Sequence, residues 1–209
     1  MNYFPLLMNT DYKKVVIVGG GHVARQKVEA LLPTKALVTV ISKEVTETLQ
    51  HYINEGLVTW KDKAFEPADL DDAALIFAVT NDEGVNNAVG EAVQHWQLLS
   101  RADAKGRVDF INPAVVRRGD FVVTVSTSGA SPGLTRQVKV DLSEQYGEHY
   151  AQYVSFLKVA RQKILKVFTG DLKKQLLAEL LDPQILQWME QGEKQKCEAW
   201  LQQRIGEKW

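Results

Sequence analysis

Cysteine, long apolar runs and net charge are all scarce in this chain. The single cysteine, Cys197, excludes an intrachain disulfide framework and supplies no thiolate metal cage by itself. No stretch approaches the roughly 20 apolar residues that a helix needs to span a bilayer, and the first residues lack the basic start of a targeting segment. We therefore expect a cytoplasmic protein that has no membrane partner.

The formal net charge of −1 gives no broad attraction for nucleic acid, so any anion has to be bound by a local cluster of cations. Basic stripes interleaved with aromatic residues are also missing, and we expect no nucleic-acid partner. Hydrophobic residues make up 45% of the 209 residues, which is enough for a packed core. The length fits one sizeable domain and a smaller region.

The first hundred residues alternate short apolar strands with helical segments. Strands are predicted at 14–21, 37–42, 58–63, 73–80 and 98–103, and helices at 22–32, 45–56 and 83–96. This alternation predicts an α/β fold, a Rossmann-like parallel sheet with right-handed crossovers and helices on both faces.

The pattern changes near residue 109. DFINPAVV and DFVVTVST, separated by residues 117–119, predict an antiparallel hairpin. Ser131 and Pro132 are a helix-start signal, because serine caps and proline suits the first turn, and the helix is expected to continue to about residue 146.

From Tyr150 onward the composition predicts a helical tail, with a fresh start signal at Asp182 and Pro183. We expect three regions. They are a nucleotide-binding Rossmann-like domain at 1–113, a small α+β dimerisation and substrate domain at 114–148, and a helical C-terminal domain at 149–209.

Gly19, Gly21 and Ala24 form a G-x-G-x-x-A pattern between a strand and a helix. Gly19 permits a sharp turn, Gly21 lets the backbone approach a pyrophosphate, and Ala24 allows close packing of helix on strand. The alternative is a tight turn without a ligand, but the strand and helix context favours dinucleotide binding. His22 opens the helix beside the loop.

At the end of the second strand, where an acid usually holds the ribose, the chain reads Ser42, Lys43, Glu44. Lys43 is suited to a 2′-phosphate, so NADP stays open beside NAD, and a solvated turn lysine is about equally plausible. Thr80 and Asn81 follow the fourth strand at the same carboxyl edge, where they would contact cofactor, cap the next helix, or do both.

Asp103 falls at the end of the fifth predicted strand, followed by Ala104 and Lys105 in a loop. A carboxylate there is placed to act as a general base beside a nicotinamide, although a solvated loop aspartate is the simpler interpretation of position alone.

Seven basic residues cluster around the domain junction, and arginine suits bidentate grip on carboxylates, although several are expected to be solvated. They are Arg101, Lys105, Arg107, Arg117, Arg118, Arg136 and Lys139. STSGASP, 126–132, combines small hydroxyl residues with a helix N-terminus, which describes either an anion site or a capped helix. The four histidines lack metal-ligand spacing, so no metal site is predicted.

Three stretches together resemble the precorrin-2 dehydrogenase module of the siroheme-synthase family. They are VVIVGGGHVARQKVEALL, FAVTND and DFINPAVVRRGDFVVTVSTSGASPGLTRQVK. The resemblance covers about the first 145 residues. It implies oxidation of precorrin-2 to sirohydrochlorin with NAD, iron insertion in bifunctional members, and an intertwined homodimer formed through 114–148.

The resemblance also implies roles for individual residues. Asp103 matches the catalytic aspartate, and His22, Val23, Lys43 and Glu44 match cofactor positions. The tetrapyrrole carboxylates would be bound by a set drawn from the junction: Asn112, Arg117, Arg118, Ser126, Thr127, Ser128 and Arg136. The lead-in Leu99–Ala102 departs from the family, which usually has asparagine and apolar residues there. No methyltransferase region is expected.

Two other functions stay open. One is a bifunctional dehydrogenase and ferrochelatase, because chelation needs little fixed metal ligation. The other is a regulatory module that binds NAD without catalysis and uses its arginines and the 126–132 segment as a partner interface.

Overall fold

The computed structural model describes residues 3–103 and 105–206. Ala104, which the sequence places in the loop after Asp103, lies outside the described residues. The chain divides into two compact units, one ending at Asn112 and the other beginning at Pro113.

The first unit is built around a parallel sheet of five strands. Its elements are β1 Lys14–Val18, α1 His22–Leu31, β2 Leu37–Ile41, α2 Glu47–Asn54, β3 Thr59–Lys61, a 3-10 turn Pro67–Leu70, β4 Ala73–Ala78, α3 Glu83–Ala92 and β5 Leu98–Arg101. The strand order is β3-β2-β1-β4-β5, and every pairing is parallel. The α/β prediction is confirmed.

Strand β1 shows why both faces of the sheet are covered. Its side chains alternate, so Val15 and Ile17 pack in one core with the α1 and α2 residues Val28 and Leu49. Val16 and Val18 instead join a second core. Valine-rich strands with two buried faces are typical of parallel sheets.

Helix α3 ends at Ala92, four residues before the predicted end. The chain turns there because the amide of Gln94 donates to the side chain of Gln97 at 2.9 Å, and Gln97 is buried with its own amide donating to Leu70 O and Ala73 O. Arg107 donates to the carbonyls of Val93 and Gln94, which the helix end leaves free.

The second unit begins with an antiparallel hairpin, β6 Ala114–Arg118 and β7 Phe121–Val125. The prediction that residues 117–119 form the turn is wrong for Arg117 and Arg118, which pair within the ladder. The turn consists of the residues between the strands, 119 and 120, and Gly119 adopts φ +58° there.

Five helices follow: α4 Pro132–Gln145, α5 His149–Val167, α6 Gly170–Glu179, α7 Pro183–Glu190 and α8 Lys194–Ile205. Both predicted helix starts are confirmed, because Ser131 Oγ accepts from Leu134 N at 3.3 Å and Asp182 Oδ1 accepts from Gln184 N at 2.8 Å.

Helices α5 to α8 share a core that includes Phe156, Ile164, Ile185 and Cys197. The further division of this unit at residues 148 and 149 stays a prediction. Among the residues that the structure describes, no helix is both long and apolar enough to cross a membrane.

Candidate active site

The loop between β1 and α1 is shaped by Gly19. Its φ of +122° is a conformation that side-chain-bearing residues rarely adopt, and a Cβ there would lie 2.8 Å from Val79 O. The Gly19 amide donates to Ile41 O at 2.9 Å, which ties the turn to the end of β2. Gly19 therefore has the turn-forming role expected from the sequence.

Gly20, which the G-x-G-x-x-A pattern leaves unassigned, is packed more tightly still. A Cβ at this position would lie 1.9 Å from Glu44 O, and the Gly20 carbonyl accepts from Thr46 N at 3.1 Å. The loop after β2 thus rests directly on the glycine loop. The signal in the sequence was the unbroken run of three glycines at 19–21, of which Gly20 is the middle one.

The N-terminus of α1 is left open. Gly21 is the N-cap, no side chain within the described residues caps the helix, and its first turn contains no acidic residue. A Cβ at Gly21 would meet nothing within 4 Å. Uncapped amides and the positive end of the helix dipole therefore face open space, which is an anion-binding arrangement.

Residues of the first α1 turn divide into exposed and buried positions. His22 and Val23 are exposed beside the open amides. Ala24 is completely buried in the core against β1, where a larger side chain has no room. This is the close helix-to-strand packing that the sequence pattern predicts.

The turn after β2 holds the three residues expected near a ribose. The Ser42 hydroxyl donates to Glu44 O at 2.6 Å, and Trp60 Nε1 donates to Ser42 O at 2.8 Å. Ser42 therefore shapes the turn. Lys43 and Glu44 are exposed, and their side chains remain available to a ligand of the neighbouring glycine loop.

Thr80, at the end of β4, is tied to a buried asparagine of α3. Its amide and hydroxyl lie 3.3 and 2.9 Å from Asn86 Oδ1, and Asn86 Nδ2 donates to Thr80 O at 3.1 Å. Asn86 is 2% exposed. Asn81 is exposed, and Asp82 caps α3 by accepting from Gly84 N at 2.8 Å.

Sequence reasoning missed Asn86. The signal was the spacing of Asn86, three residues before Val89 on the buried face of α3, because buried amides have to find partners. Its Nδ2 also lies 3.4 Å from Asp103 Oδ2, so Asn86 connects the ends of β4 and β5.

Asp103 lies two residues beyond β5 and is paired with Arg101. Arg101 Nε donates to Asp103 Oδ1 and Nη2 donates to Oδ2, both at 2.9 Å, and the Lys105 amide adds a bond to Oδ1 at 3.2 Å. The Arg101 guanidinium is the main reason that the pKa of Asp103 falls to about 2. The carboxylate is a weak proton acceptor.

Arg101 was grouped in the sequence with cations that grip substrate or solvent. The structure differs, because its side chain is only 3% exposed and its charge is already paired with Asp103. Arg107 is also bonded within the fold, because it donates to Gln97 O at 2.8 Å in addition to the carbonyls of Val93 and Gln94. Lys105 pairs with Glu83 at 2.8 Å on the surface.

At the end of the first unit, Asn112 Oδ1 accepts from Lys27 Nζ at 3.2 Å. Lys27 also lies over the Phe77 ring, 5.6 Å from its centroid, and burial lowers its pKa. Asn112 itself is exposed, so the α1 lysine orients a side chain that remains accessible.

In the second unit, Arg118 is used by the fold. Its Nε donates to Tyr146 O at 3.0 Å and its Nη2 to Ser143 O at 3.2 Å, which satisfies carbonyls at the end of α4. Arg117, Arg136 and Lys139 are exposed. Within the predicted basic cluster, they are more available to a ligand than Arg118.

The hydroxyls of residues 126–128 hold the loop before α4. Thr127 Oγ1 accepts from Ser131 N at 3.0 Å, and Ser126 Oγ accepts from Ser128 N at 3.0 Å. Ser128 has a φ of +52°, which strains a residue other than glycine.

Within residues 3–103 and 105–206, no group of three or more His, Cys, Asp or Glu side chains is arranged to hold a metal ion.

The sheet order, the glycine loop and the open helix end define a nucleotide-binding α/β protein, with the loop and Asp103 following strands at the carboxyl edge. A family model described as putative NAD(P)-binding matches residues 6–114. The precorrin-2 dehydrogenase of Priestia megaterium is 31% identical over 182 residues, 87% of this chain and 90% of that protein. The chain belongs to the precorrin-2 dehydrogenase and siroheme synthase family.

Two further comparisons agree. The siroheme synthase of Actinobacillus pleuropneumoniae serotype 7 (strain AP76) is 36% identical over 143 residues, 68% of this chain, and the aligned region spans 29% of that protein. A solved structure, SirC, precorrin-2 dehydrogenase, has a TM-score of 0.79 at 30% identity and covers 94% of this chain and 100% of its own.

Proposed function

We propose that this protein is an NAD-dependent precorrin-2 dehydrogenase that forms sirohydrochlorin in siroheme biosynthesis in the cytoplasm. The reaction removes one hydride, which passes to NAD⁺ and gives NADH, and one proton, which passes to solvent. The observation that carries the proposal is the uncapped N-terminus of α1 with its open approach at Gly21. A relative of matching length with the same activity in its name supports it.

The residues of the glycine loop fit a dinucleotide. Its pyrophosphate would lie against the free amides at residues 21–23, where no side chain of Gly21 intrudes. A bound nicotinamide supplies the hydride acceptor for the reaction. Thr80 and Asn81 line the neighbouring strand end, and we assign them to cofactor contact as well.

NAD is proposed over NADP because Glu44 follows β2 and its carboxylate is exposed beside the glycine loop, where it is able to accept from ribose hydroxyls. Lys43 is the competing residue, since a cation there favours a 2′-phosphate. Comparing kcat/KM for the two cofactors tests the choice. Glu44→Gln should lower the preference for NAD, and Lys43→Gln should leave NAD kinetics nearly unchanged.

Precorrin-2 carries many carboxylates, and binding them needs exposed cations. In the second unit, Arg117 and Arg136 are exposed and are the proposed carboxylate contacts, with the 126–128 segment as a polar partner. In the first unit, the exposed Asn112 is proposed as a further polar contact of the substrate. Arg118 is assigned an indirect role, since its donors hold the end of α4.

A homodimer is proposed through β6, β7 and α4. A hairpin of two strands is marginal alone, and α4 has no buried residue within the described chain. Leu134 is 54% exposed and Val140 49%. Such apolar surface is stabilised when a second copy covers it.

Absorbance at the NADH band tests the proposal, with purified protein, NAD and enzymatically made precorrin-2 in one cuvette. NADH formation supports the dehydrogenase. Addition of ferrous iron then tests the alternative bifunctional enzyme, because siroheme should form faster than without protein. Cofactor binding without NADH formation would favour the regulatory module.

A further inference from the structure

Arg101 occupies a closed niche at the end of β5. Besides its two bonds to Asp103, Nη2 donates to Asn87 Oδ1 at 2.8 Å. A Cβ on Gly90 of α3 would lie 3.2 Å from Nη1, and one on Gly106 would lie 3.3 Å from it. The guanidinium is therefore held between the Asn87 amide and the Asp103 carboxylate. Gly90 and Gly106, which have no side chains, leave the space that it occupies.

Such a niche determines the geometry of Asp103. A bidentate guanidinium–carboxylate pair fixes the orientation of the two groups relative to each other, and a buried guanidinium that loses this pairing keeps an uncompensated charge. Asp103 is itself 21% exposed at the side chain, whereas Arg101 is 3% exposed. The buried partner therefore orients the accessible one.

Charged and polar groups from two elements face this pair. Lys105 and its amide come from the following loop, and Asn86, Asn87 and Glu83 come from α3. Lys105 is bonded to Glu83, so these two exposed charges largely offset each other. Arg101 remains the group that governs the ionisation of Asp103.

We propose that Arg101 is a positioning residue that keeps Asp103 a fixed, ionised carboxylate throughout the reaction. The inference rests on the proposed dehydrogenase function. Loss of the hydride takes two electrons to NAD⁺ and leaves one positive charge on the macrocycle until a proton is released. Asp103 stabilises that charge as a stationary anion. The proton passes on to solvent water and does not stay on Asp103.

The low pKa of Asp103, about 2, agrees with this geometry. A base that weak is almost never protonated near neutral pH, so it holds no proton between turnovers. Removing Arg101 deprives the carboxylate of its cation and of two hydrogen bonds. Both losses favour the neutral acid.

The first experiment follows the Asp103 carboxyl carbon by ¹³C NMR during acid titration of the full-length protein, with assignment by Asp103→Asn. In the wild type the resonance should stay that of a carboxylate down to about pH 3. In Arg101→Gln the apparent pKa should rise by at least one unit. Equal pKa values in the two proteins, or a wild-type value near 4, would overturn the proposal.

The second experiment measures turnover of precorrin-2 at pH 8 with Arg101→Gln, Arg101→Lys and the control Glu91→Ala. We expect kcat to fall at least tenfold in Arg101→Gln, while the NAD dissociation constant stays within twofold of the wild-type value. In Arg101→Lys, kcat should recover in part, because lysine keeps the positive charge but lacks the bidentate donors of the guanidinium. Glu91→Ala changes an exposed position of α3, the helix that faces the niche, and should keep wild-type kcat.

Wild-type kcat in Arg101→Gln, or an equal loss in Glu91→Ala, would overturn the positioning role of Arg101. If Arg101→Gln fails to fold by circular dichroism, the comparison of Arg101→Lys with Glu91→Ala carries the same decision. If the wild type forms no NADH from precorrin-2 while the carboxyl titrations differ as expected, the proposed function fails and the control of Asp103 ionisation by Arg101 stands.

Discussion

Asn86 joins Thr80 to Asp103, with its Oδ1 2.9 Å from the Thr80 hydroxyl and its Nδ2 3.4 Å from Asp103 Oδ2. One buried amide of α3 thereby links the ends of β4 and β5. These two strands are neighbours in the sheet, so the polar groups that follow them lie at the same edge.

Asn86→Ala should destabilise the protein by roughly 1–3 kcal/mol, because the Thr80 amide and hydroxyl lose a buried partner. We also expect reduced turnover, since Asp103 loses a contact. Urea unfolding and precorrin-2 assays measure the two effects. Glu91→Ala, at an exposed position of the same helix, is the control, and a similar loss of stability there would contradict the assignment.

Gly21→Leu and Gly20→Ala should separate cofactor binding from folding. At Gly21 a side chain meets open space, so the variant should fold normally and lose NAD binding by at least tenfold as the side chain enters the anion site. At Gly20 a Cβ would lie 1.9 Å from Glu44 O, and even alanine should lower the melting temperature. Unchanged NAD affinity in folded Gly21→Leu would disprove the loop assignment.

Asp103→Asn should keep NAD binding and lose most precorrin-2 turnover, because the variant has no carboxylate at the proposed site. It should also destabilise the fold by roughly 1–3 kcal/mol at pH 7, since the buried Arg101 guanidinium loses its charged partner. Calorimetric titration with NAD and NADH absorbance separate these effects. Near-normal turnover would remove Asp103 from the catalytic proposal.

Stability of the wild type should depend on Asp103 at acid pH. Its folded-state pKa of about 2 lies below the ordinary value of a free aspartate, so folding favours the ionised form. This contribution, on the order of 1–2 kcal/mol after allowance for partial exposure, is complete above about pH 4 and is lost as the pH falls towards 2. The gap between wild type and Asp103→Asn in urea unfolding should therefore shrink from pH 5 to pH 2. A constant gap would argue against the ion pair.

Arg118→Ala and Arg117→Ala should affect different properties. The first removes donors from the carbonyls of Ser143 and Tyr146 and should lower stability. The second, at an exposed position, should leave stability unchanged and raise the KM for precorrin-2 severalfold. Thermal unfolding and steady-state kinetics distinguish them, and interchangeable effects would refute the division.

Leu134→Glu tests the dimer surface separately by light scattering, with a shift to monomer expected.

The local sequence predicts much of this fold because its signals act over short distances. Short runs of valine and isoleucine specify strands, and Ser131 and Asp182 cap helices through bonds to residues two or three positions away. The turn at Gly19 also follows from a local requirement for positive φ. The same locality explains the misplaced hairpin turn, because whether Arg117 and Arg118 pair with β7 depends on register across two strands.

The sequence by itself determined the parallel sheet, the glycine loop and Asp103 as a candidate. Only the tertiary structure decided that Arg101 is buried against Asp103, that Asn86 joins two strand ends, and that Gly20 supports the turn after β2. Each of these contacts depends on how the chain folds beyond a single helix or strand. The free-energy cost of burying a charge or an amide is set by the hydrogen-bonding partners that packing provides. The ionisation of Asp103 is therefore a property of the folded chain.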